Sequence, residues 1–177
     1  MIVFASDHGD NLGSHHLFNK DCLYEESIRI PLIFCCPKLF RAYVNRRQIA
    51  QIIDIVPTIL DICGVDIPQF IQGQSLMPVL SGNKQELSNN QAFIETSRYD
   101  IGIRTPSYLF GMSTSSENSG EIEKDLFLFD LELDPFEMDN KLSDQSKHEI
   151  FKKLKRTLIN WHENTPWYSV QKGIRSH

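Results

Sequence analysis

Asp7 and His8 stand side by side near the start of the chain. They open a stretch dense in groups able to do chemistry: Asp10, His15, His16 and Lys20 all follow before residue 21. A carboxylate is a hard oxygen ligand, and an imidazole suits zinc, manganese or iron better than calcium. Neighbours in an extended strand point to opposite faces. Gly9 allows the backbone to turn, so that both side chains can converge on one ion. Two ligands do not make a metal site. On the local pattern alone, hydrogen bonding at a strand end is the simpler reading. Lys20 taken by itself is a surface lysine, and His15 and His16 are a solvated loop pair. A zinc site built from His8, His15 and His16 is a weaker reading of the same residues.

The elements that must position these groups follow from periodicity and punctuation. Ile2–Ala5 is a short unbroken apolar run, which predicts a strand buried on both faces, as in a parallel sheet. Polar residues bunched at its carboxyl end lie where ligands bind in open α/β sheets. Residues 10–20 read as a loop. Ile30 to Phe34 reads as a second buried strand that starts at or after Pro31, and 37–47 as a basic surface connection. The spacing over 49–63 predicts a helix, with Asp54 near its N-cap, Pro57 in its first turn and Gly64 at the left-handed position beyond its end. Ser75 is placed to cap a short helix ending near Leu80. Residues 81–91 are a polar link. Strands are expected at 92–94, 108–112 and 126–129, forming a small antiparallel sheet. A polar loop spans 114–124, and a turn falls at Asp134-Pro135. Ile150, Leu154, Leu158 and Trp161 recur at helical spacing with lysines opposite, so a last amphipathic helix must dock on an apolar surface.

The bulk composition bounds the answer. The chain has 177 residues, enough for one domain or one with a small appendage. Its net charge of −5 gives no footprint for nucleic acid. The densest basic cluster (Lys152, Lys153, Lys155 and Arg156) lies in the helical pattern and reads as a solvated face. No apolar run approaches the ~20 residues that span a bilayer, so no membrane span is expected. The first residues lack the pattern of a signal peptide, which leaves localisation open. Cys22, Cys35, Cys36 and Cys63 form no C-x-x-C pair and read as core thiols.

A longer series of residues carries a family resemblance. Ser6-Asp7-His8-Gly9-Asp10, Leu12-Gly13, His15, Lys20 and Tyr24-Glu25-Glu26-Ser27-Ile28-Arg29-Ile30-Pro31-Leu32-Ile33 follow one another in that order. Asp54-Ile55-Val56-Pro57-Thr58-Ile59-Leu60-Asp61, Gly73-Gln74-Ser75-Leu76 and Leu128-Phe129-Asp130-Leu131-Glu132-Leu133-Asp134-Pro135 come after them. The order and spacing resemble the sulfatases of the alkaline-phosphatase-like superfamily over nearly the whole chain. The resemblance implies an α/β fold: part of an alkaline-phosphatase-like mixed sheet with helices over 1–91, and a small antiparallel sheet plus helix over 92–177. It implies hydrolysis of a sulfate ester, with Asp7 and His8 as metal ligands and Lys20 in contact with the sulfate group. His15 matches a recurrent histidine counted with the catalytic residues, without a defined role. The implied metal is calcium, with manganese or magnesium as alternatives. The implied substrate is a sulfated small molecule or glycan. Glu25 and Arg29 are expected to orient the loop, and Asp54, Pro57 and Thr58 to start a helix.

The pattern also departs from the family. The family nucleophile is a formylglycine made from the first residue of C-x-P-x-R or S-x-P-x-R, and neither motif occurs. Cys36-Pro37-Lys38 sets proline next to cysteine with no arginine in place, and there is no Asp-Asp pair to complete the ligand set. The chain therefore resembles only the C-terminal part of a sulfatase and is expected to be inactive alone. Three origins fit: a piece of a longer chain, a truncated or split gene whose partner supplies the nucleophile, or a non-catalytic binding or assembly module. Exposed apolar surface should favour self-association or docking to an upstream polypeptide. A phosphonate or phosphodiester hydrolase of the same superfamily is the alternative enzymatic reading.

Overall fold

The computed structural model describes residues 1–115 and 121–165. The centre of the expected 114–124 loop lies outside these residues. The chain divides into two units, one of residues 1–20 and 25–92, the other of 21–24 and 93–177.

In the first unit, β1 (Ile2–Ala5) pairs antiparallel with β2 (Leu32–Cys35), from Ile2 opposite Cys35 to Ala5 opposite Leu32. This corrects the expectation of a parallel strand covered on both faces. Alternation sets Ile2, Phe4, Ile33 and Cys35 on one face of the ribbon, and they are exposed, Ile2 at 67% and Phe4 at 57%. A short helix, α1 (Glu25–Ile28), leads into β2.

Helix α2 (Ile55–Ile62) follows a 3-10 turn at Ile52–Asp54. Pro57, near its start, forfeits no interior hydrogen bond. The helix ends as its sequence requires. Gly64 takes φ 67°, its N–H reaches the Asp61 carbonyl at 3.0 Å, and the Val65 N–H reaches Leu60 at 2.9 Å. Asp54 caps the 3-10 turn rather than α2. Its carboxylate accepts from the N–H of Gln51 (2.9 Å) and of Gln74 (2.8 Å) while fully buried. Burial pushes its carboxyl above the ordinary carboxylate range, and those two backbone donors oppose the shift. Thr58, also buried, donates to the Asp54 carbonyl and accepts from the Leu76 N–H. The two side chains thus fasten residues 74–76 to the helix start, which is a structural role. Ser75 accepts from the Met77 N–H at 3.1 Å, beside the expected short helix, here α3 (Met77–Leu80).

The second unit holds a four-stranded sheet in the order β3 (Ala92–Glu95), β4 (Asp100–Arg104), β5 (Tyr108–Thr114), β6 (Ile122–Asp130). The pairs β4–β5 and β5–β6 are antiparallel. The sequence reading missed β4, because a glycine inside a short charged stretch reads as a break. Gly102 pairs across the sheet with Gly111. A Cβ on Gly102 would lie 3.1 Å from a Leu23 methyl, and one on Gly111 2.8 Å from Leu23 and 2.9 Å from the Phe127 ring. The glycine pair is the floor of a socket for Leu23, which is 2% exposed. Tyr24 stacks on Phe127 at 5.7 Å, so residues 21–24 belong with this sheet although they lie far from it in sequence.

Helix α4 (His148–Asn164) buries Leu154 and Leu158 against Ile101, Ile103, Phe110 and Met112, as its stripe demanded. Phe93 stacks on Trp161 at 4.7 Å. Lys147, just before α4, reaches Asp130 at the end of β6 at 2.5 Å. Lys155 on the basic face pairs with Asp125 at 2.7 Å. No disulfide joins any of the four cysteines and none is buried, Cys35 and Cys63 being exposed, which corrects their reading as core residues. Among the described residues no helix is long and apolar enough to cross a membrane.

Leu158→Ala should lower unfolding free energy by about 2–5 kcal/mol, measured by urea titration with a probe in the second unit. The Lys147 hydrogen bond holds the Asp130 carboxyl below the usual carboxylate range, and Asp130 raises the Lys147 ammonium in return. A depressed acid stabilises above its unfolded pKa, and a raised base stabilises below its own. The pair therefore contributes fully between about pH 4 and pH 10. Lys147→Met should lower the urea midpoint at pH 7, and the deficit should close at acid pH, once Asp130 is protonated.

Candidate functional site

The site begins where β1 ends. Ser6 turns the chain by donating its hydroxyl to the His8 carbonyl at 2.9 Å. Asp7 Oδ1 accepts from the His8 N–H at 3.0 Å, which leaves Oδ2 facing His8 Nε2 at 3.5 Å. That backbone N–H, and then Asp7's own, hold the exposed Asp7 carboxyl below the ordinary carboxylate range. Asp7 is therefore an anion with one oxygen tied and one presented.

His8 is oriented by its other nitrogen. Nδ1 lies 2.7 Å from the Gly9 carbonyl oxygen. A carbonyl only accepts, so Nδ1 carries the hydrogen and Nε2 carries the lone pair. Lys20 Nζ lies 2.6 Å from that Nε2. The structure thus brings Asp7, His8 and Lys20 to one place, across a loop that separates the lysine from the other two in sequence.

Three contacts close this loop. The Gly9 N–H donates to the Ser27 carbonyl of α1 at 2.8 Å. A Cβ at Gly9 would stand 2.0 Å from the Glu26 carbonyl oxygen, so no other residue permits the approach. Buried Asn11 takes the Asn19 carbonyl with both its backbone N–H, at 2.8 Å, and its side-chain amide, at 2.7 Å. This pins the residue before Lys20. His15, its side chain 10% exposed, directs Nε2 at Glu26 Oε2 over 3.6 Å. The histidine counted with the catalytic residues faces α1 here, and Glu26, which sequence reasoning passed over, is its partner. No spacing rule pointed to that pair. His8 and His15 turn to different partners. No trio of His, Cys, Asp or Glu forms around His8 among the described residues, so the three-histidine zinc reading finds no support.

The donor set fits a divalent cation in part. One imidazole lone pair and one carboxylate oxygen converge and are free of backbone donors, a mixed N/O pair suited to manganese and tolerable to calcium or magnesium. Two donors leave a coordination sphere incomplete. Cys35-Cys36-Pro37-Lys38-Leu39 carries leucine where a C-x-P-x-R nucleophile motif needs arginine.

Comparison with known proteins agrees along most of the chain. The family model described as N-sulphoglucosamine sulphohydrolase, C-terminal, matches residues 13–164, starting just after Asp7 and His8. The chain is 31% identical to an N-acetylglucosamine-6-O-sulfatase of Bacteroides thetaiotaomicron, over 94% of this chain and 31% of that protein. An arylsulfatase of Clostridium perfringens is 28% identical over 90% of this chain and 33% of its own length. A protein solved in complex with its substrate D-glucosamine-2-N,6-O-disulfate superposes with a TM-score of 0.74 and 30% identity, over 93% of this chain and 35% of that one. The chain spans about a third of the length of the curated relatives it matches.

Gly9→Ala should push the loop off α1. In amide hydrogen exchange, protection at residues 9 and 11 should fall by at least tenfold, while the sheet of the second unit stays protected. Unchanged protection at both residues would show that the close approach is not required.

Proposed function

The chain belongs to the sulfatases, as the C-terminal portion of their alkaline-phosphatase-like fold, and from that premise we propose that it supplies one wall of a sulfate-ester hydrolase site. The observation that carries the proposal is the convergence of Lys20 Nζ, His8 Nε2 and Asp7 Oδ2 on one loop. Asp7 and His8 would hold a divalent cation, whose charge would polarise sulfate oxygens. Lys20 supplies an ammonium to a sulfuryl group or a leaving oxygen as negative charge grows there. The loop holds these groups in place before substrate arrives, so little reorganisation is left for the reaction step. His15 and Glu26 act at one remove, by bracing the loop on α1.

The nucleophile comes from a portion of protein outside this sequence. Formylglycine is the expected group, formed in an upstream segment that also completes the ligand set. The exposed Ile2, Phe4 and Ile33 on the β1–β2 ribbon support docking of such a segment, because a two-stranded ribbon is marginal without cover. The substrate class is a sulfated sugar. One similar protein is named an N-acetylglucosamine-6-O-sulfatase, a similar structure holds D-glucosamine-2-N,6-O-disulfate as its substrate, and an anionic sulfate ester suits an ammonium beside a metal.

The isolated chain should turn over no aryl sulfate. Joined to an upstream portion bearing C-x-P-x-R or S-x-P-x-R, it should hydrolyse 4-nitrophenyl sulfate, and Lys20→Ala there should lower kcat by roughly 10²–10³-fold. Turnover by the pure isolated chain, or an unaltered kcat in Lys20→Ala, rejects the assignment.

A further inference from the structure

The lone pair that His8 offers to a metal is already in use. Nδ1–H is committed to the Gly9 carbonyl at 2.7 Å, so Nε2 is the ring's one available acceptor. Lys20 Nζ donates to it at 2.6 Å. One lone pair cannot serve an ammonium and a metal ion together, and two cations in contact repel strongly.

The loop confines any rearrangement to the lysine side chain. Asn19 is held at its carbonyl by Asn11, and both neighbours of Lys20 sit in the left-handed region, Asn19 at φ 67° and Asp21 at φ 68°. Lys20 is exposed, so its four-carbon stem can swing Nζ away from His8 without moving the backbone.

We infer that Lys20 and the divalent cation compete for His8 Nε2, so that metal entry releases the lysine to the arriving anion. Resting on the reading of Asp7 and His8 as ligands, this makes metal and sulfate binding cooperative at the loop. A sulfate that draws Lys20 off His8 removes the competitor and tightens the metal. By linkage, the metal tightens sulfate to the same degree. The lysine is then held off until the cation is present, and a metal-free loop offers the anion a weaker partner.

The test is a manganese titration of the full chain, read as paramagnetic broadening of the Asp7, His8 and Gly9 NMR signals, with and without sodium sulfate at constant ionic strength. Lys20→Met is the main variant, and Lys20→Gln guards against a local folding defect. In both variants manganese should bind roughly 5- to 50-fold more tightly than in the native chain, the usual span of a coupling between two sites. Sulfate should tighten manganese more in the native chain than in the variants, where only its direct attraction to the metal couples the two. Equal manganese affinity in native and variant chains, with the same effect of sulfate in each, overturns the competition and leaves the ligand reading standing. Absence of selective broadening at Asp7 and His8 in every chain overturns the ligand reading and the competition with it.

Discussion

The contact between Gly9 and α1 is the constraint on which the candidate site depends. The Gly9 N–H reaches Ser27, and the space a side chain would need is filled by the Glu26 carbonyl. A hydrogen bond of this kind contributes about 1 kcal/mol net. Its larger effect is geometric, because it fixes the direction in which the chain leaves β1. The Gly9 carbonyl is then placed to accept from His8 Nδ1, which sets the tautomer and aims Nε2 outward. One steric fact at one glycine thus propagates to the protonation pattern of the neighbouring imidazole. The hydroxyl of Ser6 and the Oδ1 of Asp7 secure the same turn from the other side.

Past that point the loop is held in costly conformations. Leu12, His15, His16, Asn19 and Asp21 all have positive φ, a region expensive for residues with a Cβ. Asn, Asp and His tolerate it best, and Leu12 is the outlier. Such strain persists where surrounding contacts over-determine the backbone, and it clusters at functional sites. Here the fixing contacts are visible. The doubled Asn11–Asn19 contact closes the loop, and His15 in its middle faces Glu26 of α1 at 3.6 Å. The cost is met by interactions that also bring Lys20 back to His8. This is why the lysine's position could not have been read from spacing: no helical or strand period relates it to His8.

What the sequence made legible follows from how local its causes are. The left-handed Gly64 beyond α2, Pro57 in the helix's first turn and the stripe of α4 each rest on rules that act within a few residues, and each was readable in advance. The Asp7-His8 pair was legible as polar groups just past a strand end, and the family series supplied the role proposed for it. The losses are all non-local. Strand β4 was hidden because Gly102 is small for the sake of Leu23, a residue nearly eighty positions away in sequence. The cysteines looked like core residues from their apolar neighbours, yet Cys35 lies on the exposed face of a ribbon whose alternation depends on the register with β1. Glu26 became relevant only once the loop folded back upon α1.

The two units differ in what holds them, and that difference bears on function. Among the described residues, Pro57, Leu76 and Val79 are the buried apolar side chains of the first unit, whereas the other buried aliphatic and aromatic side chains belong to the second. The second unit has a four-stranded sheet, a helix with its apolar stripe covered, and a closed cluster around Phe110 and Leu158. Burial of that kind drives folding in proportion to apolar area removed from water. The first unit is held by polar stitching instead: Asp54 with its two backbone donors, Thr58, and the Asn11 loop closure. Hydrogen bonds specify geometry well and stabilise modestly. The Asp7–His8–Lys20 constellation is therefore carried by a unit that defines the positions of its side chains but hides little apolar surface of its own. Covering the exposed face of β1 and β2 would add the missing hydrophobic term without altering that geometry. The same β1 supports both the uncovered face and, at its end, the two proposed ligands Asp7 and His8, so under the proposed function completing the core and completing the coordination sphere would be one physical event.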